Sequence, residues 1–127
     1  MANATTAIQQ EYQKDGLTIP RTLTVATGVT IYQGTLVGID AGEGIVAATN
    51  KIVGGIAVQT ALAGEVVTCN FGMIARFAMS GAAITDIGGT AYAADNQTAT
   101  TGANTAILGP IVDVGTDEVF VLMTTRA

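Results

Sequence analysis

From about position 20 onward, the chain is a series of short apolar runs that glycine and acidic residues interrupt every few positions. The segment Leu23-Thr24-Val25 alternates between apolar and polar residues, as a strand with one buried face does. Residues 34–40 and 45–49 form two such runs on either side of residues 41–44. Because glycine readily adopts positive φ and Asp40 supports a turn through its own backbone, this pattern predicts a β-hairpin.

Three further pairs of runs follow along the chain, and each pair has a break of turn residues between its members. The last run is apolar on both faces, so we expect a central strand or an edge that another subunit covers. Helical periodicity is limited to one turn at residues 81–86 and two turns at residues 6–14. The three pairs are 63–69 with 73–79, 88–94 with 97–106, and 107–114 with 119–123.

Together these units predict an all-β fold, either a small incomplete barrel or a β-sandwich, built of bent hairpins of the β-clip or β-tulip type. Three of the runs open in a similar way, at Gly34-Thr35, Gly64-Glu65 and Gly89-Thr90. Their spacings of 30 and 25 residues are too irregular for a solenoid or a propeller. We therefore expect similar local geometry at these positions without an exact repeat.

The N-terminal part of the chain differs in composition from the rest. Residues 1–16 are rich in small and polar residues, so we interpret residues 1–19 as a flexible or extended N-terminal arm. Pro20 lacks an N–H group and therefore suits a strand entry or an edge strand. Residues 20–127 are predicted to form a single β domain, and a chain of this size buries enough surface for a core of its own.

The side chains that most enzymes use are nearly absent. The chain has no histidine, a single serine (Ser80) and a single cysteine (Cys69), which lies in a β-like run and is expected to be buried. Proton transfer near neutral pH and nucleophilic attack need groups that this sequence hardly offers. The acidic residues fall mostly at turns, with no spacing of a calcium loop. We expect no enzymatic activity, no catalytic residues, no cofactor and no metal.

Charge narrows the range of partners. The net charge is −5 and only 12% of the residues are charged. Binding to nucleic acid depends on clustered lysine and arginine, which are scattered here, so we expect no nucleic-acid partner. No apolar run reaches the roughly 20 residues of a membrane-spanning helix, and the N-terminus lacks the pattern of a secretory signal. So little surface charge favours self-association or a large partner surface.

Six short segments resemble, in kind and order, those of the small phage capsid cement proteins, also called head decoration proteins. This resemblance implies a virion protein that binds the major capsid protein on the outer surface of the expanded head. It also implies a homotrimer at threefold or quasi-threefold positions that stabilises the head against internal genome pressure. The segments begin at Gly34, Val53, Ala63, Gly72, Gly88 and Leu108, and they read GTLVGID, VGGIAV, AGEVV, GMIA, GGTAY and LGPIV.

Two sets of contact residues follow from this interpretation. The end of the arm is predicted to lie along a coat-protein strand and to extend its sheet, which adds main-chain hydrogen bonds to side-chain contacts. Large apolar residues in two β-like runs are predicted at the subunit interface. The predicted capsid contacts are Leu17, Thr18, Ile19, Pro20 and Arg21, and the predicted interface residues are Phe77, Met79, Phe120 and Leu122.

Two other functions stay open at this point. The first is a small-ligand or carbohydrate-binding β module of a virion spike or fibre, in which Tyr12, Tyr32 and Tyr92 would stack on sugar rings without help from tryptophan. The second is an enzyme on a β-clip-like scaffold, such as a nucleotide hydrolase. That enzyme would need carboxylates that bind a metal and positively charged side chains that bind phosphate. The chain has only five lysine and arginine residues for the second task.

Overall fold

The computed structural model describes residues 3–8 and 19–123, and the strands of this part of the chain form two antiparallel five-stranded sheets. The N-terminal half of the chain supplies the first sheet, in which the strand order is β1-β5-β4-β2-β3. Its strands are β1 (Ile19–Thr24), β2 (Leu36–Asp40), β3 (Glu43–Val46), β4 (Ile52–Ala57) and β5 (Val66–Phe71).

The C-terminal half supplies the second sheet, in which the strand order is β6-β10-β9-β7-β8. A 3-10 turn, Ile84–Asp86, follows β6 and precedes β7 along the chain. None of the helical turns among the described residues has the length and apolar character needed to cross a membrane. The strands are β6 (Ile74–Ala78), β7 (Thr90–Ala93), β8 (Ala99–Thr100), β9 (Ile107–Gly115) and β10 (Glu118–Leu122).

The two sheets are structural repeats of one another. Replacing each of β1–β5 by the strand five places later in the chain converts the first strand order into the second. Two pairs of glycines lie 54 positions apart, and both members of each pair have positive φ: Gly34 (81°) with Gly88 (91°), and Gly55 (134°) with Gly109 (142°). The chain therefore contains a twofold repeat, which the spacings of 30 and 25 residues between similar strand openings did not indicate. The position equivalent to Gly34 is Gly88 and not Gly89.

Each sheet curls until its two edge strands approach at one end. In the first sheet, Val25 just after β1 forms an isolated parallel bridge with Gly44 of β3. In the second sheet, Ala78 at the end of β6 bridges Thr98 just before β8 in the same way. Neither sheet closes into a full barrel. Curling of this kind protects part of each exposed edge and turns each sheet around its own apolar interior.

Each half encloses its own core, at equivalent positions. Val67 and Cys69 of β5 are fully buried in the first half. Val119 and Val121 of β10 are the equivalent, fully buried residues of the second half. Three buried residues of the first half pack into the second core and join the two halves: Leu36, Ala47 and Ile56.

The prediction of an all-β fold is confirmed, and so are most of the predicted hairpins. The pairs β2–β3, β7–β8 and β9–β10 are adjacent antiparallel strands. Positive φ at Ala41 (51°) and Gly42 (79°) forms the first turn, as the glycine pattern predicted. The single helical turn near residues 81–86 and the central position of β10 are also confirmed.

One predicted hairpin is wrong. Residues 63–69 and 73–79 supply β5 and β6, which belong to different sheets. The break between them is the crossover from one half to the other, and the N–H of Gly72 there donates to the carbonyl oxygen of Met123 at 3.0 Å. Of the predicted helical turns at residues 6–14, positions 6–8 are not helical and the others lie outside the described residues.

Candidate functional site

Strand β1 carries three of the five predicted capsid-contact residues at an edge of the first sheet. Ile19 is 45% exposed and Pro20 is exposed next to it. Pro20 thus occupies the edge-strand position that its missing N–H group predicted. Arg21 is half-buried and its guanidinium stacks over the ring of Phe71, 4.6 Å from the ring centre. Leu17 and Thr18 lie outside the described residues.

The predicted interface residues divide into two pairs that the structure does not bring to one surface. Phe77 and Met79 are 1% and 7% exposed and belong to the core of the second half. Their side chains contact the chain's own core, so a subunit contact is not needed to explain them. Phe120 and Leu122 point to the other side of β10 and are half-buried. The interface prediction stays a prediction, and of its four residues Phe120 and Leu122 have the more exposed side chains.

Two groups of exposed apolar side chains were not predicted, because most of their members lie in turns; Val66 begins β5 and Val112 lies within β9. The first group surrounds the loop before β5, where the N–H of Glu65 donates to the carbonyl oxygen of Leu62 at 2.9 Å. The second lies beside the 3-10 turn. The groups are Val58, Leu62 and Val66, exposed by 44–57%, and Ile84, Ile87 and Val112, exposed by 40–78%.

Residues 3–8, here called the N-terminal segment, lie against both halves of the domain. The carboxamide of Asn96 accepts a hydrogen bond from the N–H of Ala4 (2.7 Å) and donates one to the carbonyl oxygen of the same residue (3.1 Å). The N–H of Asn96 donates to the side chain of Asn3 at 3.0 Å. At the other end, the N–H of Ile8 donates to the carbonyl oxygen of Gln33 at 2.7 Å.

Three carboxylates of the second half accept hydrogen bonds from N–H groups in turns. Asp95 accepts hydrogen bonds from the N–H groups of Gln97 and Thr98, both at 2.9 Å. Asp117 accepts a hydrogen bond from the N–H of Gly81 at 3.0 Å. Asp86 accepts one from the N–H of Ala83, which precedes the 3-10 turn, at 2.9 Å. Within the ranges that the structure describes, no three His, Cys, Asp or Glu residues lie together as metal ligands would.

Described residues of the second half line two clefts. One, of about 400 Å³, is lined by Ser80, Asp86 and small residues that include Thr98 and Thr100. The other, of about 360 Å³, lies beside Ile8 and is lined by the ion pair of Arg76 and Glu118 with neighbouring residues. Tyr32 and Tyr92 are half-buried and line neither of these clefts, and Tyr12 lies outside the described residues.

The single thiol is buried, as predicted. Cys69 has no exposed surface, and its sulfur lies 3.4 Å from the carbonyl oxygen of Gly54. Burial raises the pKa of the Cys69 thiol from 9.0 to about 11, and the positive charge of Arg21 opposes this shift only in part. A thiolate forms less readily here than in water, so this cysteine is a poor nucleophile.

This pKa shift predicts a loss of stability in alkali. The unfolded chain loses the thiol proton near pH 9 and the folded chain near pH 11, so the free energy of unfolding should fall as pH rises between these values. In Cys69→Val, which copies Val121 at the equivalent position, that part of the decrease should disappear. Urea unfolding at pH 8, 9, 10 and 11 measures it. Identical pH profiles for the two proteins would contradict the assignment.

The described residues thus define an all-β protein made of two repeated, curled five-stranded sheets. No family model and no curated protein matches the chain. A solved structure with this fold is that of the head fiber gp8.5 N base of bacteriophage phi29, with a TM-score of 0.57. The similarity covers 85% of this chain and 95% of that one at 17% sequence identity. At this level of identity the comparison shows a shared fold.

Proposed function

We propose that this chain is a non-enzymatic structural protein of a bacteriophage particle, which binds the major capsid protein on the outer surface of the head. In this proposal it is a decoration protein that forms trimers at threefold or quasi-threefold positions and stabilises the expanded head. The observation that carries the proposal is the fold shared, over 85% of the chain, with a protein whose name places it in a phage head fibre.

Two further features support a structural role. The short segments that begin at Gly34 and Gly88 resemble those of head decoration proteins, and in the structure they open equivalent strands of the two repeats. The side chains of the chain also suit a contact surface better than catalysis, with no histidine, a buried thiol and carboxylates that bond turn N–H groups.

Charge supports an outer position. The chain carries a net charge of −5, and the packaged genome is a dense array of phosphates, so an inner position would bring like charges together. Outside the shell this repulsion is weaker, because solvent ions screen charges over about 10 Å at ordinary ionic strength.

Strand β1 is the proposed attachment site on the coat protein. It is an edge strand of the first sheet, and Ile19 and Pro20 are exposed at its beginning. An edge strand offers unpaired main-chain groups to a strand of another protein, and an exposed isoleucine adds apolar contact area. Three such strands in a trimer would bind far more durably than one, because the second and third contacts form at high effective concentration.

Binding to purified heads tests this proposal. Ile19→Thr keeps a β-branched residue in β1 while it removes apolar surface, and we expect at least a ~10-fold loss of affinity for expanded heads that lack this protein. Ile52→Thr is the matched control, since Ile52 is similarly exposed (50%) on a different strand. Co-sedimentation with heads measures both variants. Equal binding by both would exclude β1 as the attachment site, and absence of wild-type binding to heads would overturn the decoration role.

The comparison also favours a second candidate, the base of a head fibre. The matched phi29 protein is named as such a base, and the fold is common to both candidates. Electron microscopy of particles labelled with an antibody to this chain distinguishes them. A decoration protein gives compact density at many positions on the head, whereas a fibre base gives density at the foot of a projecting fibre. Specific binding on a glycan array would favour a carbohydrate-binding fibre module.

A further inference from the structure

The N-terminal segment is bound to the domain as a separate peptide ligand would be. Asn96, at the centre of this contact, is 2% exposed and belongs to the second half. Its carboxamide donates to and accepts from the main chain of Ala4, and the other end of the segment bonds to Gln33 of the first half. The groove that holds the segment is therefore built by both halves together.

The groove bonds mainly to main-chain atoms of the segment, and it also bonds to one side chain there, through the hydrogen bond that the N–H of Asn96 donates to Asn3. A carboxamide that pairs with both the N–H and the carbonyl of one residue bonds to main-chain atoms, and these two bonds do not depend on the side chain of that residue. Without the segment, the oxygen and the nitrogen of the carboxamide would both lose these partners. The ligand class that satisfies them is a peptide main chain.

Gly34 makes room for this peptide. A Cβ atom built on Gly34 would overlap the carbonyl oxygen of Ile8, so any other residue there would push the segment away. Gly88 is the equivalent position in the second repeat, with a similar positive φ, and an added Cβ would meet nothing within 4 Å. The two equivalent positions thus differ because the segment passes over Gly34 and does not pass over Gly88.

We propose that this groove is a peptide-binding site that accepts the N-terminal segment of a second copy of the chain, so that copies exchange their segments. The contacts are the same whichever copy supplies the segment, so exchange costs little in contact energy. Ten residues, 9–18, separate the segment from β1, and a chain of that length spans up to ~33 Å when extended. The inference is independent of the proposed virion role, because every part of it is tested with purified protein.

The first test measures binding of the free segment. A variant that lacks residues 1–8 is titrated with a synthetic peptide of residues 1–8, and fluorescence anisotropy follows the labelled peptide. We expect saturable binding, loss of that binding when Gly34→Ala is added, and no change in affinity when Gly88→Ala is added instead. Both alanines are placed at positive φ, so backbone strain is similar in the two variants. A difference in peptide affinity between them therefore reports the close contact of the peptide with position 34. Failure of the folded truncated variant to bind the peptide would overturn the proposal.

The second test detects exchange in the intact chain, so it does not depend on the fold of a truncated variant. Full-length chains with and without ¹⁵N are mixed, and each carries a photo-crosslinking residue at Thr5, which is exposed within the segment. In an equal mixture, exchange predicts that about half of the cross-links that join the segment of one chain to the groove of another contain one labelled and one unlabelled partner. Cross-links exclusively within chains of one isotope would show that each segment serves its own copy, and would overturn the proposal.

Discussion

Phe77→Ala should lower the free energy of unfolding by about 3–5 kcal/mol, the usual cost of deleting a buried phenyl ring from a packed core. Phe77 is 1% exposed on β6 and lies in the core of the second half, where it pairs across the strands with Val119. Surrounding residues can close such a cavity only in part, because the core is enclosed by a curled sheet. Urea unfolding followed by circular dichroism measures the loss.

Phe120→Ala is the matched control for this experiment. Phe120 lies on the neighbouring strand β10, opposite Arg76, and its side chain is only half-buried. In the monomer we expect a loss well under half of that for Phe77→Ala, since less apolar surface returns to water. If Phe120 lies at the trimer interface, its replacement should instead lower the stability of the trimer in a concentration-dependent way. A large loss for Phe120→Ala and a small one for Phe77→Ala would reverse the assignment of the two faces.

These two phenylalanines also show why the sequence alone does not distinguish the core face of the last strand from its other face. Residues 119–123 are apolar at every position, so alternation gives no sign of which face is buried. Strand pairing decides it: Val119 and Val121 face the core together with Phe77, which leaves Phe120 and Leu122 on the other face. That pairing joins β6 to β10, strands about 40 residues apart in the chain.

Local turn chemistry explains which parts of the fold were predictable. The hairpin of β2 and β3 needs positive φ at its turn, and the glycine pattern indicated it. The break at Gly72 looks the same in sequence, since Gly72 also has positive φ (82°), yet there the chain passes from one sheet to the other. A glycine shows that the chain turns, and it does not show which strand becomes the next neighbour.

The internal repeat was hidden because equivalent core positions hold different residues. Val37 corresponds to Ala91 and Ala57 to Ile111, so volume lost at one site of a core is regained at another. Apolar character and the glycines with positive φ are common to both halves. The binding of the N-terminal segment was equally invisible, because it depends on a contact between Ala4 and Asn96 that spans 92 positions.

Gly55→Ala should be among the most damaging single substitutions in this chain, at about 4 kcal/mol, because two costs combine. The φ of Gly55 is 134°, where a residue with a side chain is strained by about 1–3 kcal/mol. An added Cβ would also lie 2.6 Å from the carbonyl oxygen of Asn70 on the neighbouring strand β5, and relieving such a clash costs about 1–3 kcal/mol more.

Gly42→Ala separates these two costs. Gly42 has a φ of 79° in the turn between β2 and β3, and an added Cβ would meet nothing within 4 Å. Its replacement should therefore cost only the backbone strain of a left-handed alanine, about 1–2 kcal/mol. Thermal and urea unfolding of both variants give the comparison. If the two variants are equally stable, then β4 and β5 can separate at Gly55 without loss, and the close approach of these strands contributes nothing to stability.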